Sequence, residues 1–401
     1  MKYNPRVLIF RNLSDAEAEV RRLEISGMGE KEVGAGAKAK AIHRVVKLQN
    51  LTVASAAMVE QAMCSIGGEV LIAYERSASA ECPSTLLMGT LQQYEDLVMR
   101  LRRCAFEAAQ IGEEINSALR NFDGSANTIK CKGRDLQIGR RTYIMGIINV
   151  TPDSFSEDGL WGDLEKVAQR ARAFASEGAD LIDVGGESTR PGAAPVEIEE
   201  ELKRVIPAIE RIAAEVEIPI SIDTYKSVVA QKALEKGASM INDTTALRGD
   251  PGMVQVAVQS GVPVVLMHMK GMPKTMQEMP VYDDVVAEII EFFRDRIEVA
   301  LAAGVKEENI IIDPGIGFGK TVEHNLEILK RLREFKVLGR TILIGTSRKS
   351  FIGKVLGLPT EERLEGTAAT VAAAIMNGAD IVRVHDVKAM VRVARMADAM
   401  V

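Results

Sequence analysis

One unit recurs from about Tyr143 to the end of the chain: a helical stretch closed by glycine, an apolar run, then polar residues. Glu177-Gly-Ala-Asp-Leu-Ile-Asp-Val-Gly-Gly186, Lys236-Gly-Ala-Ser-Met-Ile-Asn-Asp243 and Asn377-Gly-Ala-Asp-Ile-Val-Arg-Val-His-Asp386 are three copies. The glycine suits the left-handed residue that ends a helix. The apolar run is continuous rather than alternating, as in parallel strands covered on both faces. Eight such strands are expected, near 144–148, 180–184, 218–222, 239–241, 262–266, 309–312, 341–345 and 380–384. Helical stripes separate them. Leu164, Val167, Ala168, Ala171, Phe174 and Ala175 form one; Leu202, Val205, Ile206, Ile209, Ile212 and Ala213 form another. Eight strand–helix units in about 250 residues fit an α/β fold of the (β/α)8, or TIM-barrel, type. An open doubly wound sheet is the alternative, and it less often uses eight parallel strands.

A barrel gathers ligands at the C-terminal ends of its strands. Those ends carry Asn149, Asp183 through Arg190, Asp223, Asn242, His268, Asp313, Ser347 with Lys349, and Arg383 with His385. Solvated loops explain any one of them, but not all eight together.

Composition narrows the ligand class. The 401 residues carry a net charge of −6, which gives no reason to expect nucleic acid or an anionic membrane as partner. Aromatics are only 4%, too few for base-stacking platforms. No apolar run is long enough to span a bilayer, and MKYNPRVLIFRNLSDAE meets charge too early for a secretory signal. Cys64, Cys82, Cys104 and Cys131 have neither disulfide-framework nor CxxC spacing, so a cytoplasmic setting is expected.

Residues 1–126 are expected to form a separate small α/β domain of open role, with the barrel domain at 127–401. Val7–Phe10, Val45–Leu48 and Glu69–Ala73 read as strands, with a helix near Val53–Ser65. Ser14-Asp-Ala-Glu17 reads as a capping box. Leu87, Leu91, Tyr94, Val98, Leu101, Ala105 and Ala108 keep a heptad rhythm and predict one long amphipathic helix. Its seam serves either a partner or the domain's own sheet. His43 has no spaced partner and reads as structural. Asn121–Gly139 ends in a short hairpin turning at Lys132-Gly-Arg134.

The segment Ile310-Ile-Ile-Asp-Pro-Gly-Ile-Gly-Phe-Gly-Lys-Thr321 invites comparison with a phosphate-binding P-loop. That motif needs glycine where Pro314 stands, and proline has no N–H to offer a phosphate. What remains is Asp313 at a strand end, suited either to a planar ligand with adjacent N–H donors or to capping its own turn. Asp223 and Asn242 lie on neighbouring strand ends. The three together can read a donor-rich heterocycle, with Met267 and Phe318 over its faces or simply in the core. Arg383 and His385, two apart on one strand, share a face and can hold a di-anionic leaving group. Asn149 can reach that group or its metal. No cluster has protein-metal spacing, so any metal is expected to be Mg²⁺ carried mainly by phosphate oxygens and water. His268 and His324 read as structural. The loops 149–159 and 185–193 are long for this fold and read as lids.

At these residues the sequence resembles the dihydropteroate synthases, pterin-binding TIM-barrel transferases of the folate pathway. The resemblance runs from about Asn127 to the C-terminus through MGIINVTPDSFS, DVGGESTRPGA, SIDT, IND, DPGIGFGK, TSRKS and RVHD. It implies that Asp223, Asn242, Asp313 and Lys349 bind the pterin. Asn149, Arg383 and His385 correspond to pyrophosphate and Mg²⁺ residues, and Thr189, Arg190 and Ser347 to the p-aminobenzoate side. Phe318 and Phe155 would lie near that pocket. The implied reaction joins 6-hydroxymethyl-7,8-dihydropterin diphosphate to p-aminobenzoate, giving 7,8-dihydropteroate and pyrophosphate in an SN1-like manner. Family members are commonly dimers, so a homodimer is expected. One departure stands in the first loop, where Glu157 or Asp158 takes the family's acidic role. Two rivals remain: a methyltetrahydrofolate–corrinoid methyltransferase-like pterin barrel, and a pterin-binding module without turnover. The first has no need of an arylamine loop or a diphosphate clamp, and the full motif set speaks against the second.

Overall fold

The computed structural model describes residues 10, 12–25, 35–73, 83–104, 106–124, 127–131, 134–151, 160, 162–188, 195–271, 276 and 280–401. The chain divides into two compact units, Met1–Asp123 and Gly124–Val401.

The first unit contains α1 (Leu13–Ile25), α2 (Ala35–Ala41), β1 (His43–Leu48), α3 (Val53–Cys64), β2 (Glu69–Ala73), β3 (Ser84–Thr90), α4 (Leu91–Leu101) and α5 (Phe106–Phe122). Its antiparallel sheet has the order β1-β3-β2. The expected Val7–Phe10 strand falls mostly outside the described residues. The cap of α1 is Asn12 rather than Ser14: its Oδ1 accepts from the Asp15 N–H at 2.9 Å, so the helix opens two residues early.

The single long helix is corrected to a strand followed by two helices. Leu87 lies on β3, whose alternate residues are buried, and Thr90 then opens α4 with a reciprocal capping box to Gln93. The chain turns again after Leu101, where the Arg103 and Cys104 N–H groups bond back to Arg100 and Leu101. The heptad rhythm survives because all three elements serve one core. Leu87, Tyr94, Val98, Leu101 and Ala108 pack there with Val59, Met63 and Ile115. The seam therefore packs within its own unit.

The second unit begins with a hairpin, β4 (Thr128–Cys131) and β5 (Arg134–Gln137), and continues as a closed parallel barrel. Its strands are β6 (Tyr143–Asn149), β7 (Leu181–Gly185), β8 (Ile220–Asp223), β9 (Met240–Asp243), β10 (Val264–Met267), β11 (Ile310–Asp313), β12 (Thr341–Ile344) and β13 (Ile381–Val384). The helices between and after them are α6 (Leu164–Glu177), α7 (Ile198–Glu215), α8 (Ser227–Glu235), α9 (Gly252–Ser260), α10 (Val285–Ala303), α11 (Val322–Lys330), α12 (Ser350–Leu356), α13 (Leu364–Met376) and α14 (Val387–Asp398).

The recurrent Gly-Ala-Asp has a physical reason. Gly178 and Gly378 take φ of 100° and 95°, which turns the chain out of its helix. The aspartate that follows accepts the N–H of the second residue of the preceding strand: Asp180 from Ile144 at 3.0 Å, Asp380 from Ile342 at 2.8 Å. Arg141 and Lys336 neutralise these two carboxylates.

Side chains fill the barrel in layers. Leu181, Met240, Ile311 and Ile381 make an apolar layer; Met145, Val265 and Leu343 from the other strands belong to the same cluster, closed from below by Ile129, Leu136, Ile138 and Tyr143. The hairpin is thus a plug in the barrel floor. Side chains two residues further along each strand point the same way, one layer up.

Candidate active site

Directly above the apolar layer stand four polar residues: Asp183, Asn242, Asp313 and Arg383. Each lies two residues beyond Leu181, Met240, Ile311 or Ile381, on β7, β9, β11 and β13 respectively. Alternate strands supply the four members of one barrel layer, so the set follows from the fold itself.

Asp183 is fully buried. Its Oδ2 accepts from Arg383 Nε at 2.6 Å and from Asn242 Nδ2 at 3.0 Å. Arg383 Nη2 also donates to Asp223 Oδ2 at 2.9 Å. Burial would push the guanidinium down, but Asp183 and Asp223 beside it hold it above its ordinary value. Asp223 behaves in the opposite sense. Burial, with Asp183 as a like charge nearby, pushes its carboxyl up to about 7 against the pull of Arg383 and Lys349.

Asp313 is also raised by burial, while the Gly315 N–H and the cations Lys349, Arg383 and Lys320 oppose the shift. Its Oδ1 accepts that N–H at 2.8 Å, so the carboxylate does cap its own turn and keeps Oδ2 for other donors. Gly315 has φ +70°, and a Cβ there would lie 2.0 Å from the His268 carbonyl oxygen. Only glycine lets this turn pass so close.

Around the layer lie an aromatic ring, methionines and cationic groups. Lys349 Nζ sits 4.2 Å from the centre of the Phe318 ring. Phe318 packs with Met267, Met269 and Met276. Arg348, just before Lys349, has φ +57°, a strained value for a side-chain-bearing residue. It is held by a two-point pair with Asp386, at 2.7 and 3.1 Å. Ser347 Oγ bonds both the His385 backbone N–H at 3.2 Å and its Nδ1 at 3.0 Å, joining the two late strand ends. Asn149 ends β6, between β13 and β7.

The expected Asp223, Asn242, Asp313, Lys349, Met267, Phe318, Ser347, Arg383, His385 and Asn149 all lie at this strand-end face. Phe155, Thr189 and Arg190, with Glu157 and Asp158, lie outside the described residues, as does most of both long loops.

Sequence reasoning placed Asp183 at a strand end without giving it a role, and did not single out Lys226 or Lys320. The period-two step from Leu181 would have put Asp183 in the same layer as Asn242, Asp313 and Arg383. Lys226 Nζ is almost buried and bonds Glu187 at 2.5 Å, the Val196 carbonyl at 2.6 Å, and Glu201. It ties together the two chain ends that flank residues 189–194. Lys320 is buried against His268, Nζ to Nδ1 2.9 Å, and donates to the Phe318 carbonyl at 3.0 Å. Burial, with Lys349 and Lys270 nearby, pushes its amine down to about 7. His268 falls well below its usual range through burial first, then the nearby cations Lys320, Arg248 and Lys270. Both hold the Asp313–Phe318 loop from behind.

Among the described residues no group of three His, Cys, Asp or Glu can hold a metal ion. The uncharged amide oxygen of Asn149 fits a Mg²⁺ that keeps most of its ligands as phosphate oxygens and water. Among the described residues no helix is long and apolar enough to cross a membrane.

Residues 145–385 match the pterin binding enzyme family. The dihydropteroate synthase of Synechocystis sp. is 49% identical over 263 residues, covering 65% of this chain and 91% of that protein. The structure of Xanthomonas albilineans dihydropteroate synthase with 4-aminobenzoic acid is 45% identical with a TM-score of 0.64. The match covers 69% of this chain and 98% of that one. A probable bifunctional folylpolyglutamate synthase/dihydropteroate synthase of Halobacterium salinarum is 39% identical over 388 residues. That alignment takes in 97% of this chain, first unit included, and 46% of the relative.

Proposed function

The chain belongs to the family of pterin-binding enzymes, and from that premise we propose how its barrel carries out the dihydropteroate synthase reaction. This step of folate biosynthesis condenses 6-hydroxymethyl-7,8-dihydropterin diphosphate with p-aminobenzoate. The bond from the methylene carbon to the diphosphate oxygen breaks, a bond to the aniline nitrogen forms, and that nitrogen gives up a proton to solvent.

The observation that carries the reading is the polar layer standing on a dry apolar floor. Asp313 Oδ2 and Asn242 take the donor edge of the pterin, and Lys349 takes its carbonyl edge. Phe318 and Met267 cover its face. Asp223, released from Arg383 by the substrate, faces the ring and stabilises positive charge as the diphosphate departs. Arg383, His385 and Asn149 receive the anion. Mg²⁺, bound through diphosphate oxygens with Asn149 as its protein ligand, would supply further charge neutralisation there. Ser347, together with Thr189, Arg190 and Phe155, forms the p-aminobenzoate side. No strong base is required, because the aniline nitrogen is already a nucleophile near neutral pH. Burial keeps water from the cation and strengthens each electrostatic contact.

The same reading expects a cytoplasmic homodimer, and light scattering of the purified protein would check the dimer. The decisive experiment supplies the dihydropterin diphosphate, p-aminobenzoate and Mg²⁺ and follows dihydropteroate and pyrophosphate together. Equal amounts of both are expected. Neither product, from folded protein, would overturn the assignment.

A further inference from the structure

We propose that Asp183 is a positioning residue: it fixes which face Asn242 turns to the pterin and anchors Arg383 from behind. The proposal rests on the pterin reading above and adds a residue that reading does not use.

An ionised carboxylate only accepts hydrogen bonds. Asn242 therefore points its Nδ2 at Asp183 Oδ2, 3.0 Å away. Turned over, the amide would set oxygen against oxygen inside the fold. Its carbonyl is thus committed to the opposite side of the planar amide, as an acceptor. A dihydropterin edge rich in N–H donors needs that arrangement.

The same Oδ2 takes Arg383 Nε at 2.6 Å, while Asp223 takes only Nη2. Substrate can break the Asp223 link and leave the guanidinium where Asp183 holds it. Asp183 reaches both partners because β9 and β13 each stand two strands from β7 around the barrel. Its other oxygen, Oδ1, is buried with no hydrogen-bond partner among the described residues. Such an uncompensated atom is costly, and fold stability alone does not account for its place.

The test measures binding of 6-hydroxymethyl-7,8-dihydropterin by calorimetry, and turnover, in the full chain. Asp183→Asn lets the amide of Asn242 turn over. It is expected to weaken ring binding at least about tenfold and to lower kcat at least about tenfold, with the KM for p-aminobenzoate within about twofold of wild type. Asn242→Asp alone sets two carboxylates against each other and is expected to lose ring affinity similarly. The double variant D183N/N242D restores a donor–acceptor pair and an acceptor facing the ring. It is expected to bind the ring within about threefold of wild type. Unchanged ring affinity or unchanged kcat in D183N would overturn the proposal, as would a loss of ring affinity that the double variant does not recover. If D183N does not fold, the comparison of N242D with the double variant decides. Wild-type turnover is the separate control: its failure would sink the functional reading, while ring binding would still judge Asp183.

Discussion

In the proposed reaction, Asp223 is the residue whose charge state most directly sets the rate. A carboxyl raised to about 7 is protonated below that pH, and only its ionised form can stabilise a cation. kcat/KM for the dihydropterin diphosphate is therefore expected to rise with pH through about 7, in a pH–rate profile of the wild-type protein. Arg383→Ala removes the opposite charge that pulls this carboxyl down. Its acid limb is expected to move to higher pH, and kcat to fall about 10²–10³-fold, the loss typical of a charge-stabilising donor. An unmoved limb would separate Arg383 from Asp223 in solution. Most of this residue set was legible in the sequence, because each member stands where an apolar run stops. Asp183 was harder to place: it sits inside Leu-Ile-Asp-Val-Gly, and its partners come from β9 and β13, which closure of the barrel alone brings near.

At the scale of elements, the base of the second long loop depends on one buried amine. Lys226 neutralises Glu187 and Glu201, and the latter is almost wholly buried. Lys226→Met would leave two carboxylates facing each other without a cation. It is expected to cost about 3–5 kcal/mol in urea unfolding of the full chain. Gly315→Ala is expected to lower ring affinity as well as stability, because a Cβ would push the turn away from His268 and carry Asp313 with it. Calorimetry with the ring compound checks this. The eight strands and their helices were readable because continuous apolar runs, Gly caps and repeated Gly-Ala-Asp all agree. The first unit was less readable. β3 and α4 share a rhythm with α5 because they serve a common core, and periodicity alone does not reveal where a capping threonine breaks the chain.

At the scale of the molecule, the two units have separate cores, and the family match at residues 145–385 falls within the second. Residues 124–401 expressed by themselves are expected to fold and to turn over substrate within about tenfold of the full chain, measured by pyrophosphate release. Complete loss from a folded barrel would give the first unit a share in catalysis. The relative from Halobacterium salinarum also aligns across the first unit, so that unit is not peculiar to this chain.

The hairpin plug bears on fidelity as well as on folding. With its lower end stoppered by Ile129, Leu136 and Ile138, the barrel admits solvent from one direction only. Any hydrolysis of the activated pterin must come from the mouth, where the arylamine itself arrives. Opening the floor would change that competition. Leu136→Ala is therefore expected to release pyrophosphate in excess of dihydropteroate, a leak visible as a product ratio above one even where the overall rate is little altered.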